Sequence, residues 1–345
     1  MKFKQSLSFD DVLLVPKMSD ISSRSEIDTS SDLGDGILLS LPIISSPMDT
    51  VTENSMTVAM DRSGGLGIIH RYNTIEDQCA IVRDAQEMGA SNIGAAIGVS
   101  GDYIERARSL KRAGATMLCI DIAHGHHTLM RHALTTLRNT LGHDIHIMAG
   151  NVATKKGYED LVSWGASSVR VGIGGGSICS TRVQTGHGVP TFQSVLDCAD
   201  SALTGEIPIV ADGGIKNSGD IVKAIAAGAD AVMIGSLISG TEESPGEKIT
   251  RDGLVYKEYR GMASSRAQIS WRGRVASREG VAALVPYKGP VEGILKSLEA
   301  GIKSGLSYTG CRSISKFQAT CEMILQTSAG IVESNTHVFS RGLEI

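Results

Sequence analysis

A glycine-rich loop carries the clearest chemical signal in this sequence. The loop from Gly172 to Arg182 reads GIGGGSICSTR and contains four glycines and one cysteine. Glycines let the backbone turn tightly and expose its N–H and C=O groups, which can hold a phosphate or a monovalent cation. Cys179 lies in a polar stretch with Arg182 nearby, a setting in which a thiol can act as a nucleophile. A structural cysteine is the alternative.

Two further glycine-containing stretches suit a phosphorylated ligand. Asp212 is followed by Gly213 and Gly214, and Gly235 is followed by Ser236. Bare backbone amides and a hydroxyl can hold a phosphate, and a carboxylate beside them can accept two O–H groups from a ribose. A helix N-cap is the alternative role for Asp212. Together these stretches predict binding of a phosphorylated sugar or a nucleotide.

A histidine-rich segment follows Asp121. His124, His126 and His127, together with that aspartate, could bind zinc. However, His126 and His127 are adjacent, and no carboxylate or cysteine falls at a helical ligand spacing. We therefore favour Asp121 as a hydrogen-bond acceptor for a cofactor or a ribose.

Eight short apolar runs must position these residues. The runs are Leu41–Ser45, Gly65–Ile69, Asn92–Ile97, Met117–Ile122, Ile145–Ala149, Ser168–Val171, Pro208–Ala211 and Ala231–Ile234. Segments with helical spacing lie between most of them: Thr74–Met88, Tyr103–Ala113, Thr128–Leu141, Lys156–Trp164 and Ser218–Ala227. This alternation predicts an α/β fold, a (β/α)8 TIM barrel, with an open doubly wound sheet as the rival. The candidate residues then lie at the carboxyl ends of the strands, where barrel enzymes carry their sites.

Composition and charge exclude several classes of function. The chain has 345 residues, a net charge of −4 and only 4% aromatic residues, which disfavours nucleic-acid binding. No apolar run has the length of a membrane span, and the first residues lack the apolar core of a signal peptide. The six cysteines show no CxxC spacing, and Cys119 lies in an apolar strand where it should be part of the core. We expect a cytoplasmic protein that binds neither nucleic acid nor membrane.

A polar segment follows the last predicted strand. Within Thr241–Gly289, residues 263–282 show no clear period and carry Arg266, Arg272, Arg274 and Arg278. We interpret residues 263–282 as a mobile flap over the barrel mouth, with a solvated basic loop as the alternative. The tail, Ile314–Ile345, predicts a final helix and an extended end.

Several motifs resemble the IMP dehydrogenase and GMP reductase family. They are SFDDVLLVP at 8–16, MDTV at 48–51, the Gly172–Arg182 loop, ADGGI at 211–215 and YRGM at 259–262. The resemblance covers nearly the whole chain and implies a (β/α)8 barrel, usually a homotetramer, in which Cys179 attacks C2 of a purine mononucleotide. It also implies one catalytic domain over residues 1–345. Only residues 71–91 lie between His70 and Asn92, where typical dehydrogenases insert a tandem regulatory domain.

The flap separates the two activities of this family. Dehydrogenase flaps carry an Arg-Tyr pair whose arginine activates water, and residues 263–282 contain no such pair. The segments at 23–26, 70–72 and 120–126 also resemble bacterial-type reductases, whereas those at 65–69 and 239–247 resemble the dehydrogenase. Gly175 and Ser180 depart from both groups, which usually have proline and threonine there.

We therefore expect a GMP reductase that uses NADPH to convert GMP to IMP and ammonia. The alternative is an IMP dehydrogenase without its regulatory domain, which would use NAD and take Arg272, Arg274 or Arg278 as the water base. A catalytically silent nucleotide-binding protein is a third class, which the presence of Cys179, Thr181 and Glu279 disfavours.

The resemblance also implies a role for each site residue. Cys179 would form the purine adduct, and Thr181 and Glu279 would transfer protons. Substrate would be bound by Met48, Ser177, Asp212, Gly213, Gly214, Gly235, Ser236, Tyr259, Gly261, Met262, Ala263, Arg278 and Gly280. Cofactor would be bound by Arg71, Asp121, Ile122, Ala123, Ile173 and Gly174, with Ser23 and Arg24 from a neighbouring subunit. Backbone carbonyls of Gly174, Gly176, Cys179 and Arg182 would surround potassium.

Overall fold

Eight parallel strands close into a barrel in the computed structural model, which describes residues 3–202, 207–275 and 278–334. The barrel strands are Ile43–Ser45, Leu66–Ile69, Ile93–Ile97, Met117–Asp121, His146–Val152, Ser168–Val171, Ile209–Asp212 and Ala231–Ile234. Ile44 lies opposite Leu66 on the second strand, and Val232 on the last strand lies opposite Ile43, which closes the ring. The predicted (β/α)8 TIM barrel is confirmed, and the open-sheet rival is wrong.

Two strands extend further than the sequence pattern predicts. The fifth runs to Val152 and includes Asn151, and the seventh ends on Asp212, which lies opposite Met233 of the eighth. Asp212 is therefore held by strand pairing at the carboxyl end of the barrel. Asn151 lies in an irregular part of the fifth strand, where its backbone amide donates to the Ile122 carbonyl at 3.0 Å.

Helices surround the barrel. They span Asn54–Arg62, Ile75–Glu87, Tyr103–Ala113, Thr128–Leu141, Lys155–Ser163, Thr191–Ala202, Ser218–Ala226 and Val291–Ser307. Several begin at a capping side chain: Thr74 Oγ1 accepts the Asp77 amide at 3.1 Å, and Asn217 Oδ1 accepts the Asp220 amide at 2.9 Å. The helices Asn54–Arg62, Thr191–Ala202 and Val291–Ser307 are additional to the predicted segments. Across the described part of the chain, no helix has both the length and the apolar character needed to cross a bilayer.

Apolar side chains fill two layers, one inside the barrel and one between the strands and the helices. The inner layer contains Cys119, as predicted, and complete burial raises the pKa of its thiol to about 11. Leu33 and Leu39 join the same layer from a hairpin formed by Ser31–Asp32 and Leu38–Leu39. Asp35 of this hairpin lies 3.5 Å from His146, the first residue of the fifth strand. The hairpin therefore closes the end of the barrel opposite to the strand carboxyl ends.

The predicted flap is built on a small antiparallel sheet. Its strands are Ile249–Arg251, Leu254–Arg260 and Ala282–Pro286, and the helix Ser265–Arg272 lies between the last two. Residues 263–282 thus contain a helix, although their polar sequence shows no helical period. Flap residues 276 and 277 lie outside the described residues.

An early segment of the chain pairs with a segment of its tail. The tail forms the predicted helix, Ile314–Thr320, and then a strand, Met323–Leu325, which pairs antiparallel with Val12–Leu14. A short helix, Ser328–Glu333, follows where an extended end was predicted. Single turns of 3₁₀-helix occur at Phe9–Asp11 and Arg24–Glu26. The rest of the predicted extended end, residues 335–345, lies outside the described residues.

Candidate active site

The carboxyl ends of the barrel strands open into a cleft of about 330 Å³, which suits a small ligand. Most of the predicted site residues line it. They are Met48, Arg71, Asp121, Ile122, Ala123, Ile173, Gly174, Gly176, Ser177, Cys179, Thr181, Asp212, Gly213, Gly214, Gly235, Ser236, Tyr259, Gly261, Met262, Ala263 and Glu279. Residues from all parts of the chain up to the flap therefore converge on one site.

Three further predicted residues lie just behind the cleft wall. Gly280 forms a backbone bridge with Cys179, and the Arg278 carbonyl accepts the Ser180 hydroxyl at 3.1 Å. The Arg182 guanidinium donates to the Val189 carbonyl at 2.7 Å. These residues support the cysteine loop, and their side chains do not line the cleft.

The remaining two predicted residues lie away from this cleft within one chain. Ser23 caps the turn Arg24–Glu26, and Glu26 of that turn pairs with Arg312 at 2.9 Å, near the chain tail. The structure does not bring Ser23 and Arg24 together with Arg71. Their contribution through a neighbouring subunit stays a prediction.

Cys179, Thr181 and Glu279 form a continuous hydrogen-bonded chain. The exposed Cys179 thiol donates to Thr181 Oγ1 at 3.2 Å, and that hydroxyl donates to Glu279 Oε2 at 2.9 Å. A hydroxyl between a sulfur and a carboxylate can pass a proton in either direction. The arrangement can therefore combine nucleophilic attack by sulfur with proton transfer to or from the same ligand.

Backbone pairing holds this chain of groups in place. The Ser180 amide donates to the Glu279 carbonyl at 3.0 Å, and the Val281 amide donates to the Ile178 carbonyl at 3.1 Å. The cysteine loop and the flap strand thus pair on both sides of the functional side chains. This pairing brings the Glu279 side chain to Thr181.

Close contacts with neighbouring atoms explain why two of the loop residues are glycine. A Cβ on Gly172, where φ is +144°, would lie 2.0 Å from the Asp212 carbonyl oxygen. A Cβ on Gly175 would lie 2.4 Å from Thr191 Oγ1. The second contact gives a local reason for glycine at 175, where the family usually has proline, because a ring there would collide with the Thr191 hydroxyl.

The predicted phosphate region contains one buried hydroxyl, that of Tyr259. Tyr259 is only 5% exposed, and burial raises the pKa of its hydroxyl, although a hydrogen bond with Ser177 opposes the shift. A Cβ on Gly235 would lie 3.1 Å from the Tyr259 hydroxyl. Glycine at 235 therefore leaves backbone and hydroxyl donors close together, as a phosphate requires.

A buried arginine joins the two predicted ligand-binding carboxylates. Arg170 donates to Asp121 Oδ1 at 2.8 Å and to Asp212 Oδ2 at 2.9 Å, and Asn151 also donates to Asp212 Oδ2 at 2.7 Å. Burial opposes the charge of Arg170, but the carboxylates outweigh it and raise the pKa of the guanidinium above its usual value. The N-cap role for Asp212 is wrong, because Asn217 caps the following helix. Arg170 was not among the predicted site residues, although a charged residue inside the apolar run Ser168–Val171 was a usable signal.

An aromatic contact joins the flap to the cofactor side of the cleft. Arg71 donates to the Asp121 carbonyl at 3.0 Å, and the adjacent Tyr72 stacks on Trp271 of the flap helix. The two ring centroids are 6.1 Å apart, with planes inclined by 20°. Arg71 and Arg272 both lie within 5.8 Å of the Tyr72 ring centroid. The Tyr72–Trp271 pair was not predicted from the sequence, because no local pattern links two residues so far apart in the chain.

The histidine-rich segment has structural partners. His126 Nε2 lies 2.8 Å from Asp160 Oδ2, and His127 accepts the Leu129 amide at 3.0 Å as a helix cap. Within the described ranges, no group of three His, Cys, Asp or Glu side chains is arranged to hold a metal ion.

The carbonyls predicted to bind potassium are compatible with such an ion. The Gly176 carbonyl accepts the Cys179 amide and the Arg182 carbonyl accepts the Gly186 amide, both at 3.1 Å. Each carbonyl oxygen has a second lone pair, and neutral carbonyl oxygens are suitable ligands for an alkali cation. The donor set of Gly174, Gly176, Cys179 and Arg182 therefore fits a monovalent cation.

Comparisons with known proteins agree on one family. The sequence model described as the IMP dehydrogenase / GMP reductase domain matches residues 6–337. The chain is similar to the inosine-5'-monophosphate dehydrogenase of Nitrosopumilus maritimus, with 36% identity over 98% of this chain and 99% of the relative. It is also similar to the GMP reductase of Leishmania major, with 33% identity over 98% of each chain.

Chain length does not separate the two activities. The alignments with these two relatives span 474 and 480 positions, so both proteins contain segments with no counterpart in this 345-residue chain. By contrast, the alignment with the dehydrogenase of Cryptosporidium parvum spans only 385 positions, at 37% identity over 96% of this chain and 95% of the relative. Long additional segments therefore occur in relatives of either name, and the shorter alignment is with a dehydrogenase.

A solved structure shares both the fold and the sequence. The chain superposes on a GMP reductase variant from Trypanosoma brucei, crystallised in complex with guanosine 5'-monophosphate, with a TM-score of 0.91. The identity is 31%, over 97% of this chain and 98% of that chain. On the family match, these identities and this coverage, the chain belongs to the IMP dehydrogenase / GMP reductase family.

Proposed function

We propose that this protein is a GMP reductase, which converts GMP to IMP and ammonia at the expense of NADPH. The hydrogen-bonded chain from Cys179 through Thr181 to Glu279 is the observation that carries the proposal. It supplies a nucleophile and a proton donor on the same side of the cleft. None of the four flap arginines, all of which the structure describes, lines the cleft, so no flap guanidinium is placed to activate water.

The substrate is held by the strand ends. In this proposal Ser177, Gly214, Gly235, Ser236 and Tyr259 hold the phosphate, and Asp212 accepts the ribose hydroxyls. Gly261, Met262 and Glu279 contact the base, with Met48, Gly213 and Ala263 beside them. Both protein donors use Oδ2 of Asp212, which leaves Oδ1 for the substrate.

The chemistry proceeds through a cysteine adduct. The Cys179 thiolate forms a bond to C2 of GMP, and the bond from C2 to the exocyclic nitrogen breaks. Thr181, backed by Glu279, delivers the proton with which that nitrogen leaves as ammonia. NADPH, when bound, would supply the hydride that C2 needs, so that breaking the C–S bond regenerates the Cys179 thiolate and releases IMP. Exclusion of water by the docked flap protects the adduct from hydrolysis.

The cofactor and the cation occupy the other side of the site. Arg71, Asp121, Ile122, Ala123, Ile173 and Gly174 hold NADPH in this proposal, and the loop carbonyls named above hold potassium. The positive charge of Arg71 suits the additional phosphate of NADPH better than the hydroxyl of NADH. We also propose a cytoplasmic homotetramer in which a neighbouring chain supplies Ser23 and Arg24.

The second candidate is an IMP dehydrogenase. It is favoured by the dehydrogenase relatives, whose identities of 36% and 37% are slightly higher than the 33% of the Leishmania reductase. In that reaction Arg272, Arg274 or Arg278 would have to move into the cleft to activate water. Replacing each by Ala and trapping an unhydrolysed purine adduct would support it.

Initial rates in the two reactions decide between the candidates. We expect NADPH oxidation with GMP, and no reduction of NAD by IMP. The opposite pattern overturns the proposal in favour of the dehydrogenase. A Cys179→Ala variant with undiminished activity would refute the covalent route common to both.

A further inference from the structure

The Arg170 guanidinium directly links the proposed substrate side of the cleft to the proposed cofactor side. Its side chain is 6% exposed and donates one hydrogen bond to Asp121 and one to Asp212, at 2.8 and 2.9 Å. The two carboxylates come from the fourth and seventh barrel strands, which are not neighbours. A single buried cation thus spans the floor of the cleft.

A glycine on the neighbouring strand leaves space for the Arg170 side chain. Gly150 on the fifth strand lies between Arg170 and the fourth strand, and a Cβ at Gly150 would lie 2.5 Å from the Arg170 Cβ. Asn151, the next residue, fixes the far carboxylate by donating to Asp212 Oδ2 at 2.7 Å. The absence of a side chain at 150 therefore leaves the room in which the base of the Arg170 side chain lies.

We propose that Arg170 is a positioning residue that couples the binding of the purine nucleotide to the binding of the nicotinamide cofactor. The inference rests on the proposed function, because it places the ribose on Asp212 and the cofactor on Asp121. A ligand that fixes one carboxylate also fixes the shared guanidinium. The second carboxylate is then already oriented, so the protein loses less conformational entropy when the second ligand binds.

Only arginine can make this link. Its planar fork directs separate N–H groups at two carboxylates, whereas a lysine ammonium is a compact charge on a flexible stem. Lysine at 170 would preserve the charge and lose the fixed geometry. Glutamine would lose the charge and reach at most one carboxylate.

The test measures the affinity for GMP with and without saturating NADP⁺, a pair that cannot react. By linkage, NADP⁺ must then show the same change in affinity when GMP is present. We expect NADP⁺ to tighten GMP binding by about fivefold or more in the natural protein. In Arg170→Lys and Arg170→Gln the two affinities for GMP should become equal within about twofold, whatever their absolute values.

Arg260→Lys is the matched control. Arg260 also lies at the barrel mouth, but it pairs mainly with one carboxylate, Asp49, at 2.6 Å. This variant should retain the coupling. A merely structural role for Arg170 would weaken each ligand by a common factor and leave the ratio of affinities unchanged.

Two results would overturn the inference. One is an absence of coupling in the natural protein, which needs no variant and therefore does not depend on how well a variant folds. The other is unchanged coupling in Arg170→Lys. If GMP does not bind at all while IMP does, the proposed function fails by itself, and the same titrations with IMP and NADH still test the bridge.

Discussion

Thr181 Oγ1 and Glu279 Oε2 lie 2.9 Å apart, although 98 residues of sequence separate them. The first belongs to the cysteine loop and the second to the flap, and the loop and flap pair through their backbones beside this contact. In the proposed reaction, this hydrogen bond completes the proton path from Glu279 to Cys179. The reaction should therefore depend on the position of the flap.

Removing the carboxylate should slow the chemistry more than it weakens binding. In Glu279→Gln, the amide can neither accept the proton of Thr181 nor return one toward the leaving nitrogen, so we expect kcat to fall by about a hundred- to ten-thousand-fold. KM for GMP should change much less. Steady-state kinetics of Glu279→Gln and Thr181→Val provide the measurement. Ser180→Ala is the control, because this neighbouring hydroxyl bonds the Arg278 carbonyl at 3.1 Å and, among the described residues, is not part of the chain from Cys179 to Glu279. Equal losses in all three variants would contradict the relay.

A methyl group added at Gly172 should displace the backbone that carries Asp212. Because a Cβ there would lie 2.0 Å from the Asp212 carbonyl, Gly172→Ala must displace the end of the seventh strand. We expect a loss of about 1–3 kcal/mol in the free energy of unfolding, measured with urea, and weaker GMP binding. Gly293→Ala has open space around the new Cβ and should cause no such loss. Equal stability of the two variants would show that the strand end is not tightly packed.

The barrel could be predicted because its signal is local. Apolar runs such as Ser168–Val171 alternate with amphipathic segments such as Thr128–Leu141, and buried parallel strands need helical crossovers. The flap helix Ser265–Arg272 could not be predicted this way, because its polar sequence has no apolar stripe. It is held in part by Trp271 against Tyr72, a contact that exists only after the barrel has formed.

The same limit applies to the site. Cys179 and the glycines around it could be identified from residue type and spacing, and so could Asp212 beside two glycines. The role of Arg170 depends on the order of strands four to seven around the ring, which no local pattern contains. The assignment of Ser23 and Arg24 depends on a neighbouring chain and stays a prediction.

Loss of the Tyr72–Trp271 contact should loosen the flap. An aromatic pair of this kind contributes about 0.5–1.5 kcal/mol, so Trp271→Ala should speed tryptic cleavage within the flap by about two- to tenfold. Ile269→Ala is the matched control, because Ile269 lies on the same helix and is 55% exposed. Equal cleavage rates in Trp271→Ala and the natural protein would show that the stack does not hold the flap.

One buried carboxyl should give the fold a measurable pH dependence. Burial raises the pKa of Asp230 from 3.8 to about 6, and Asp230 accepts the Ile209 amide at 2.7 Å. The folded state then binds more protons than the unfolded state between these values, so this group contributes less stability as the pH rises through that window.

Asp230→Asn keeps a hydrogen-bond acceptor and cannot ionise. Its melting temperature relative to the natural protein should rise between about pH 4 and pH 6 and then level off. Asp144→Asn, in which an exposed carboxylate is removed, serves as the control. A difference between Asp230→Asn and the natural protein that does not vary with pH would contradict the assignment.

The proposed activity is tested most directly by a product-resolved assay with GMP and NADPH. The account predicts that IMP, ammonia and NADP⁺ appear in equal amounts, at a rate abolished in Cys179→Ala. It would be contradicted if GMP were left unchanged while the same enzyme preparation produced XMP and NADH from IMP and NAD.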